Sequence, residues 1–180
     1  MGRTNISTND VYDYGLHLLD CILQESGHFL EEFSGMPLPL QNWSAQTGNT
    51  FIAEQLDYHL DCERENASRN VHLMNQEQKT AFDEVMQSIE EGKGGLYFLS
   101  GPGGTGKTFV YRTLCHAIRA NGWIVLCVAS TGIAALLLPG GRTAHSMFKI
   151  PVEGLSGESL CSIPKQSPRA ELLRNTRAII

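Results

Sequence analysis

Gly101-Pro102-Gly103-Gly104-Thr105-Gly106-Lys107-Thr108 lies between the apolar run Leu96-Tyr97-Phe98-Leu99 and a helical pattern that begins at Lys107. Glycine, four residues, then Gly-Lys-Thr is the spacing of a phosphate-binding loop, and a strand before it with a helix after it is the context that such a loop requires. Gly103, Gly104 and Gly106 can take backbone angles closed to other residues and let successive N–H groups turn inward around phosphate oxygens. The helix start adds unpaired N–H groups and the positive end of its dipole. Lys107 supplies a point charge to the β- and γ-phosphates, and Thr108 a hydroxyl ligand to Mg²⁺. A triphosphate is the expected ligand. Four fixed positions at ordinary residue frequencies arise by chance in about one chain per few hundred of this length. The structural alternative, a glycine-rich hairpin or linker, does not account for the apolar run on one side and the amphipathic helix on the other.

The chain has 180 residues, 42% of them hydrophobic, enough for one core and a small appendage. No apolar run approaches the length of a membrane span, and Met1 to Asp10 lacks the charged and apolar regions of a signal peptide. The expectation is a protein inside the cell, nuclear if the cell is eukaryotic, with no membrane partner. Cys21, Cys62, Cys115, Cys127 and Cys161 are scattered with no Cys-x-x-Cys pair, so free thiols are expected. His17 with Cys21 and His59 with Cys62 have helix-face spacing, but no second pair closes a site, so no metal cluster is expected from them. Net charge is −5, which alone argues against a nucleic-acid partner. The charge is unevenly placed. Residues 1–70 carry 3 Lys/Arg against 11 Asp/Glu, a balance of −8, whereas residues 71–180 carry 11 against 8, a balance of +3. The part that holds the phosphate loop is mildly basic.

Along the chain, Val11, Leu18, Leu19, Ile22 and Leu23 predict an amphipathic helix over 11–25 with Thr8 or Asn9 as its cap, stopped at Ser26-Gly27. Met36-Pro-Leu-Pro-Leu40 predicts an extended strap. From Gln41 to Asn70 the text is polar, with one short helix expected around Phe51 to Cys62. These features give an acidic, partly helical arm over 1–70 and a second domain over 71–180. Asn75 to Glu90 predicts a helix with Phe82, Val85, Met86 and Ile89 on one face. Gln78, near its start, has two readings: the far half of a capping box with Asn75, or an amide that reads the adenine edge. Strand 96–100, helix 107–121, strand 123–129, a helix from Ser130 or Thr131 to Leu138, a helix beginning at Ser167-Pro168 and a strand over 177–180 complete the pattern. Strand, helix and strand of unbroken apolar character imply a parallel sheet covered on both faces.

Met74 to Gln78, Gly101 to Thr108, Ala129-Ser-Thr-Gly-Ile-Ala-Ala135 and Gly141-Arg-Thr-Ala-His-Ser-Met-Phe148 together resemble the Pif-type (petite integration frequency) DNA helicases of superfamily 1, in the version found in Helitron transposon proteins. The likeness spans about Leu73 to Ile180. It implies an α/β fold: a P-loop NTPase, RecA-like parallel sheet with flanking helices, incomplete over these residues and preceded by a helical or irregular amino-terminal arm. It implies ATP and Mg²⁺ as cofactors, held by Gln78 at the adenine and by Gly101, Pro102, Gly103, Gly104, Thr105, Gly106, Lys107 and Thr108 at the phosphates and metal. It implies single-stranded DNA or DNA junctions as partners of the intact protein, with Ser130, Thr131, Thr143, His145 and Ser146 along the strand's path. Phe148 offers a flat face for a base; as structure, it is an ordinary core ring, and His145 a packed loop histidine. Met74 stands where the family usually has Leu.

Within the 180 residues, Ala178-Ile179-Ile180 is followed by no acid that could serve as second magnesium ligand or polarise the attacking water, and no arginine finger or second motor domain appears. The expectation is an amino-terminal piece of a helicase, of five-prime-to-three-prime polarity, inactive by itself; the alternative is a transposon-derived remnant that at most binds nucleotide. A nucleotide kinase is a third reading, against which the His145-Ser146 segment argues.

Overall fold

The computed structural model describes residues 7–25, 28–43, 48–151 and 156–180. The chain divides into two compact units, Met1–Thr50 and Phe51–Ile180.

The first unit is built on α1 (Thr8–Glu25). Its cap lies one residue before the expected Thr8 or Asn9. The Ser7 hydroxyl accepts from the Asp10 N–H at 3.1 Å, and the Asp10 carboxylate accepts from the Ser7 N–H at 3.3 Å and its hydroxyl at 2.8 Å, a reciprocal capping box. The expected stop at Ser26-Gly27 lies outside the described residues. After a single 3₁₀ turn (Leu30–Glu32), the strap runs extended as predicted, and a buried carboxylate fixes its end. Asp13 accepts from the N–H groups of Leu40 at 2.7 Å and Gln41 at 3.0 Å and from Trp43 Nε1 at 2.8 Å. Trp43 in turn meets the edge of Tyr14, ring centroids 5.1 Å apart.

The Leu40 N–H, followed by the Trp43 and Gln41 donors, holds the Asp13 carboxyl below the usual carboxylate range. A depressed folded pKa contributes stability above the unfolded value of about 3.9 and loses it as pH falls through the folded value. In a Trp123→Phe variant, which leaves Trp43 as the sole indole, emission is therefore expected to stay constant down to about pH 4 and to change below it. A transition centred above pH 5 would show that some other group holds the strap.

The second unit contains α2 (Thr50–Leu56), α3 (Leu60–Leu73), α4 (Gln76–Glu91), α5 (Lys107–Ala120), β1 (Ile124–Leu126), β2 (Val128–Ala129), α6 (Gly132–Ala135), β3 (Arg142–Thr143), α7 (Ala144–Phe148), α8 (Pro168–Asn175) and β4 (Thr176–Ile179). None of the described helices is long and apolar enough to cross a membrane. The polar stretch before residue 70, expected to be mostly irregular, instead forms α3, which lies along α5. Only Leu60, Ala67 and Val71 mark its apolar face, too few for a periodic signal. Its place is fixed by burial of Ala67 and by a contact of 2.7 Å between Glu63 Oε2 and His116 Nδ1 of α5. The expected domain boundary at 70/71 thus falls inside a helix of the second unit.

α5 is the core element. Val110, Leu114, Cys115 and Ile118 bury against Phe82 and Met86 of α4 and against Val125 and Cys127. The alternate residues Ile124 and Leu126 face the other way, onto Met147 and Leu172. Period-two alternation with both sets buried means that this strand is covered on both faces. The single strand expected over 123–129 is interrupted at Cys127. β1 pairs in parallel with β4, Val125 opposite Ala178 and Leu126 opposite Ile179. β2 pairs in parallel with β3, Val128 opposite Arg142 and Ala129 opposite Thr143. The result is two two-stranded ladders in place of one sheet.

The segment 96–100 forms no ladder, contrary to expectation. Leu99 packs on the core, while Leu96 and Phe98 are 101% and 92% exposed. The chain has the apolar side chains of a strand, but no described neighbour pairs with it. α6 is also shorter than expected. After Ala135 the turns tighten, Leu137 N–H bonding Ala134 O and Leu138 N–H bonding Ala135 O, the spacing of a 3₁₀ end. Gly141 is required there for space, since a Cβ would lie 2.1 Å from Ala135 O. α8 begins as predicted, with Ser167 accepting from Ala170 N–H and Pro168 in the first turn.

Candidate functional site

Gly106, at φ +83°, caps α5 and turns the chain from loop to helix. The loop folds around the Lys107 ammonium, whose Nζ donates to Gly101 O at 2.7 Å and Pro102 O at 2.8 Å. The Thr105 hydroxyl donates to Pro102 O at 2.9 Å, and Thr108 is exposed in the first turn of α5. Two neutral carbonyls satisfy hydrogen bonds of the ammonium but leave its charge unbalanced, and a polyphosphate oxygen is the stronger acceptor. At Gly103 and Gly104 an added Cβ would meet nothing within 4 Å, so the loop is open to an incoming group. These residues fit a nucleoside triphosphate with Mg²⁺.

Gln78 takes the capping role that was one of the two readings of its sequence position. Its Oε1 accepts from Asn75 N–H at 3.1 Å, and its own N–H donates to Asn75 Oδ1 at 2.9 Å, so the capping box is formed. Its Nε2 donates to Thr105 O at 3.0 Å, linking the start of α4 to the phosphate loop. A primary amide has two donors and two acceptor lone pairs. One of each is used here, and one of each remains for a ligand. The contact is close enough that a Cβ at Gly106 would sit 2.5 Å from Nε2. Gly106→Ala is therefore expected to destabilise the second unit by about 1–2 kcal/mol through left-handed strain, with loss of the Gln78 to Thr105 bond in addition. Urea unfolding beside Gly103→Ala, where there is open space, checks this; equal effects of the two substitutions would refute it.

The parallel pairing of β2 with β3 brings two further sequence stretches side by side. Ser130 and Thr131 follow Ala129, and Ala144 to Ser146 follow Thr143, at the same end of one ladder. Thr131 caps α6 by accepting from Ala134 N–H at 3.3 Å, and Thr143 caps α7 by accepting from Ser146 N–H at 3.3 Å. Ser130, Thr131, His145 and Ser146 are exposed and Thr143 is half-buried. Phe148 separates from them: its ring packs against the second core cluster, as in the structural reading of that residue. Thr108, Ala129 and Ala134 line one cavity of about 890 Å³.

Three supporting residues have no motif to announce them. Arg169 is buried and donates to Met147 O at 3.1 Å, beneath α7, with its guanidinium 4.8 Å from the Phe51 ring centroid. Arg142 pairs with Glu54 at 2.7 Å across 88 positions of sequence. Arg119 is buried, donates to Pro139 O at 2.9 Å and stacks 3.9 Å from the Tyr58 ring centroid, fixing the turn before Gly141. All three tie segments distant in sequence, so spacing carries no signal for them. Pro168 at a helix start is the nearest hint, because it places Arg169 in the first turn.

The family model described as PIF1-like helicase matches residues 73–180. Among curated proteins of Trypanosoma brucei brucei, the chain is 31% identical over 107 residues to the ATP-dependent DNA helicase PIF4, covering 59% of this chain and 12% of that protein. It is 39% identical over 62 residues to the ATP-dependent DNA helicase PIF1, covering 34% and 7%, and 35% identical over 65 residues to the ATP-dependent DNA helicase PIF3, covering 36% and 8%. The chain thus spans 12% or less of the length of these relatives.

Proposed function

The chain belongs to the PIF1-like helicase family, and from that premise we propose that it carries the nucleotide-binding part of the first motor domain of an ATP-dependent DNA helicase with a P-loop NTPase fold. The observation that carries this reading is the convergence of Gln78 and Lys107 on one glycine loop at the start of the core helix α5. ATP, when bound, supplies the phosphoanhydride whose cleavage drives such a motor. Lys107 exchanges its two carbonyl acceptors for phosphate oxygens. Gly103 to Gly106 offer main-chain donors, Thr108 offers a hydroxyl for Mg²⁺, and Gln78 has a donor and an acceptor left for the adenine edge.

Single-stranded DNA is the proposed second partner, running past Ser130, Thr131, Thr143, His145 and Ser146, with junctions engaged by the intact protein. Hydroxyls and free N–H groups at the start of a turn suit phosphate oxygens, and the exposed His145 ring suits a base. Movement from five-prime to three-prime is part of the same proposal, as is a location inside the cell. The 180 residues by themselves are proposed to bind nucleotide without turning it over, because no carboxylate follows β4 within them to polarise water.

Titration of the 180-residue chain with a fluorescent ATP analogue, with and without Mg²⁺, tests the proposal. Saturable, magnesium-strengthened binding with no phosphate release is the expected result. Absence of binding by a demonstrably folded chain would sink the reading of the loop, and steady phosphate release would sink the inactivity.

A further inference from the structure

Cys115 and Cys127 are 0% and 2% exposed, and their sulfurs lie 3.0 Å apart. Both stand at joints of the second unit. Cys115 lies on the face of α5 that packs into the main core cluster, about 12 Å of helix from Lys107. Cys127 interrupts the strand between β1 and β2, and its carbonyl accepts from the Arg142 N–H at 3.0 Å where β3 begins. A bond between the two sulfurs ties the helix that carries the phosphate loop to the point where the two ladders part.

The surroundings decide what two such thiols can do. Buried cysteines in apolar settings are ordinarily inert, because burial disfavours the thiolate. Here one hydrogen bond acts on both sulfurs. Together with burial, the bond to Cys127 pushes the Cys115 thiol up and keeps it protonated. At Cys127 the same bond, donated by the Cys115 S–H, outweighs burial and holds the thiol below its usual range, and the Arg119 cation acts in the same direction. Arg119 is itself buried, and its Nε has no acceptor among the described residues. A cation beside the pair opposes capture of a soft metal ion by the two sulfurs. It favours a negative sulfur, the nucleophile of thiol oxidation.

We propose that Cys115 and Cys127 form a redox-modification site, which closes to a disulfide with a small peroxide as oxidant and reopens with a thiol reductant. The Cys127 sulfur attacks one oxygen of hydrogen peroxide, the O–O bond breaks, and the departing hydroxide takes up the proton that Cys127 gave up. The Cys115 sulfur then attacks the sulfenic acid so formed. The S–S bond forms, the S–O bond breaks, and the hydroxyl leaves as water with the Cys115 proton. Two thiols have lost two electrons and two protons, and hydrogen peroxide has become two waters. Burial excludes bulky disulfides and protein oxidants from the pair. The contact between the sulfurs, which need to approach by about 1 Å, lets Cys115 capture the sulfenic acid before a further peroxide takes it to sulfinic acid.

The test exposes the reduced 180-residue chain to hydrogen peroxide under native conditions, then blocks remaining thiols and maps the cysteines by mass spectrometry. A linked Cys115–Cys127 peptide, lighter by two hydrogens and reopened by a thiol reductant, is the expected product at these two positions. Cys62 and Cys161, exposed in the same chain, report that the peroxide is active. A chain carrying Cys21→Ser, Cys62→Ser and Cys161→Ser isolates the pair for stability measurements, with Trp123 as the probe in a Trp43→Phe background. Closing the bond is expected to raise the thermal midpoint of the second unit by about 5–10 °C, since it shortens the freedom of the unfolded chain. Circular dichroism establishes that each chain is folded, and the mapping on the parent needs no substitution. Intact Cys115 and Cys127 while Cys62 and Cys161 are oxidised overturns the proposal. So does sulfinic acid at either position in place of the link, a link that forms only after urea has unfolded the chain, or a midpoint that the bond leaves unchanged or lowers.

Discussion

Lys107→Ala is expected to weaken binding of a fluorescent ATP analogue by about 10- to 150-fold, the equivalent of the roughly 1.5–3 kcal/mol carried by hydrogen bonds to a charged group. The reason lies in what the ammonium does in the two states. Without ligand it donates to the carbonyls of Gly101 and Pro102, contacts that water replaces at small cost in an exposed loop. With ligand it faces phosphate oxygens that carry full charge. The substitution therefore removes far more from the bound state than from the free one. Stability is expected to change by no more than about 1 kcal/mol, since Lys107 is half-buried and its two bonds are to loop carbonyls outside the packed core. Lys107→Arg keeps the charge but brings a planar fork to a place that fits a point charge, so it is expected to recover only part of the affinity. Titration of the three chains under one magnesium concentration reads this out. Unchanged affinity in Lys107→Ala would show that the loop is not where phosphate binds.

The loop was legible because its chemistry is local. Gly-x-x-x-x-Gly-Lys-Thr constrains neighbouring backbone angles, and the structure needs nothing distant to make Gly106 turn left-handed or to place Lys107 at a helix start. Helices α1, α4, α5 and α8 were legible for the same reason, since caps and apolar faces lie within a few residues of each other. The errors share the opposite property. α3 is helical because Ala67 and Glu63 meet α5, a fact about residues some fifty positions away. The stretch 123–129 divides because β4 and β3 present themselves to different halves of it. Leu96 to Ser100 has the composition of a strand, but a strand exists only where a neighbour accepts its hydrogen bonds. At the second cluster of candidate residues, Thr131 and Thr143 could be placed by their capping role, whereas the partial burial of Phe148 depends on a cluster to which β1 brings Ile124 and Leu126 and α8 brings Leu172.

Ile118→Ala is expected to do the reverse of Lys107→Ala. Ile118 is fully buried in the main core cluster, between α4, α5 and the strand that follows. Truncating a buried isoleucine to alanine costs about 2–5 kcal/mol, because the cavity left behind is only partly filled by relaxation. Against a domain stability of about 5–15 kcal/mol that is a large fraction. The position is also remote from the ligand: eleven residues along α5 separate it from Lys107, about 16 Å of helix. The folded fraction should therefore bind the ATP analogue with near-parent affinity while the unfolding midpoint falls. Since the chain has two compact units, the readout must belong to the second, and Trp123, which packs partly against this cluster, provides it in a Trp43→Phe background. A lowered urea midpoint with unchanged slope and unchanged affinity would separate the scaffold from the site. Lost affinity in the folded protein would mean instead that the packing of α5 sets the geometry of its first turn, and that the phosphate loop is held from the core as well as by its own glycines.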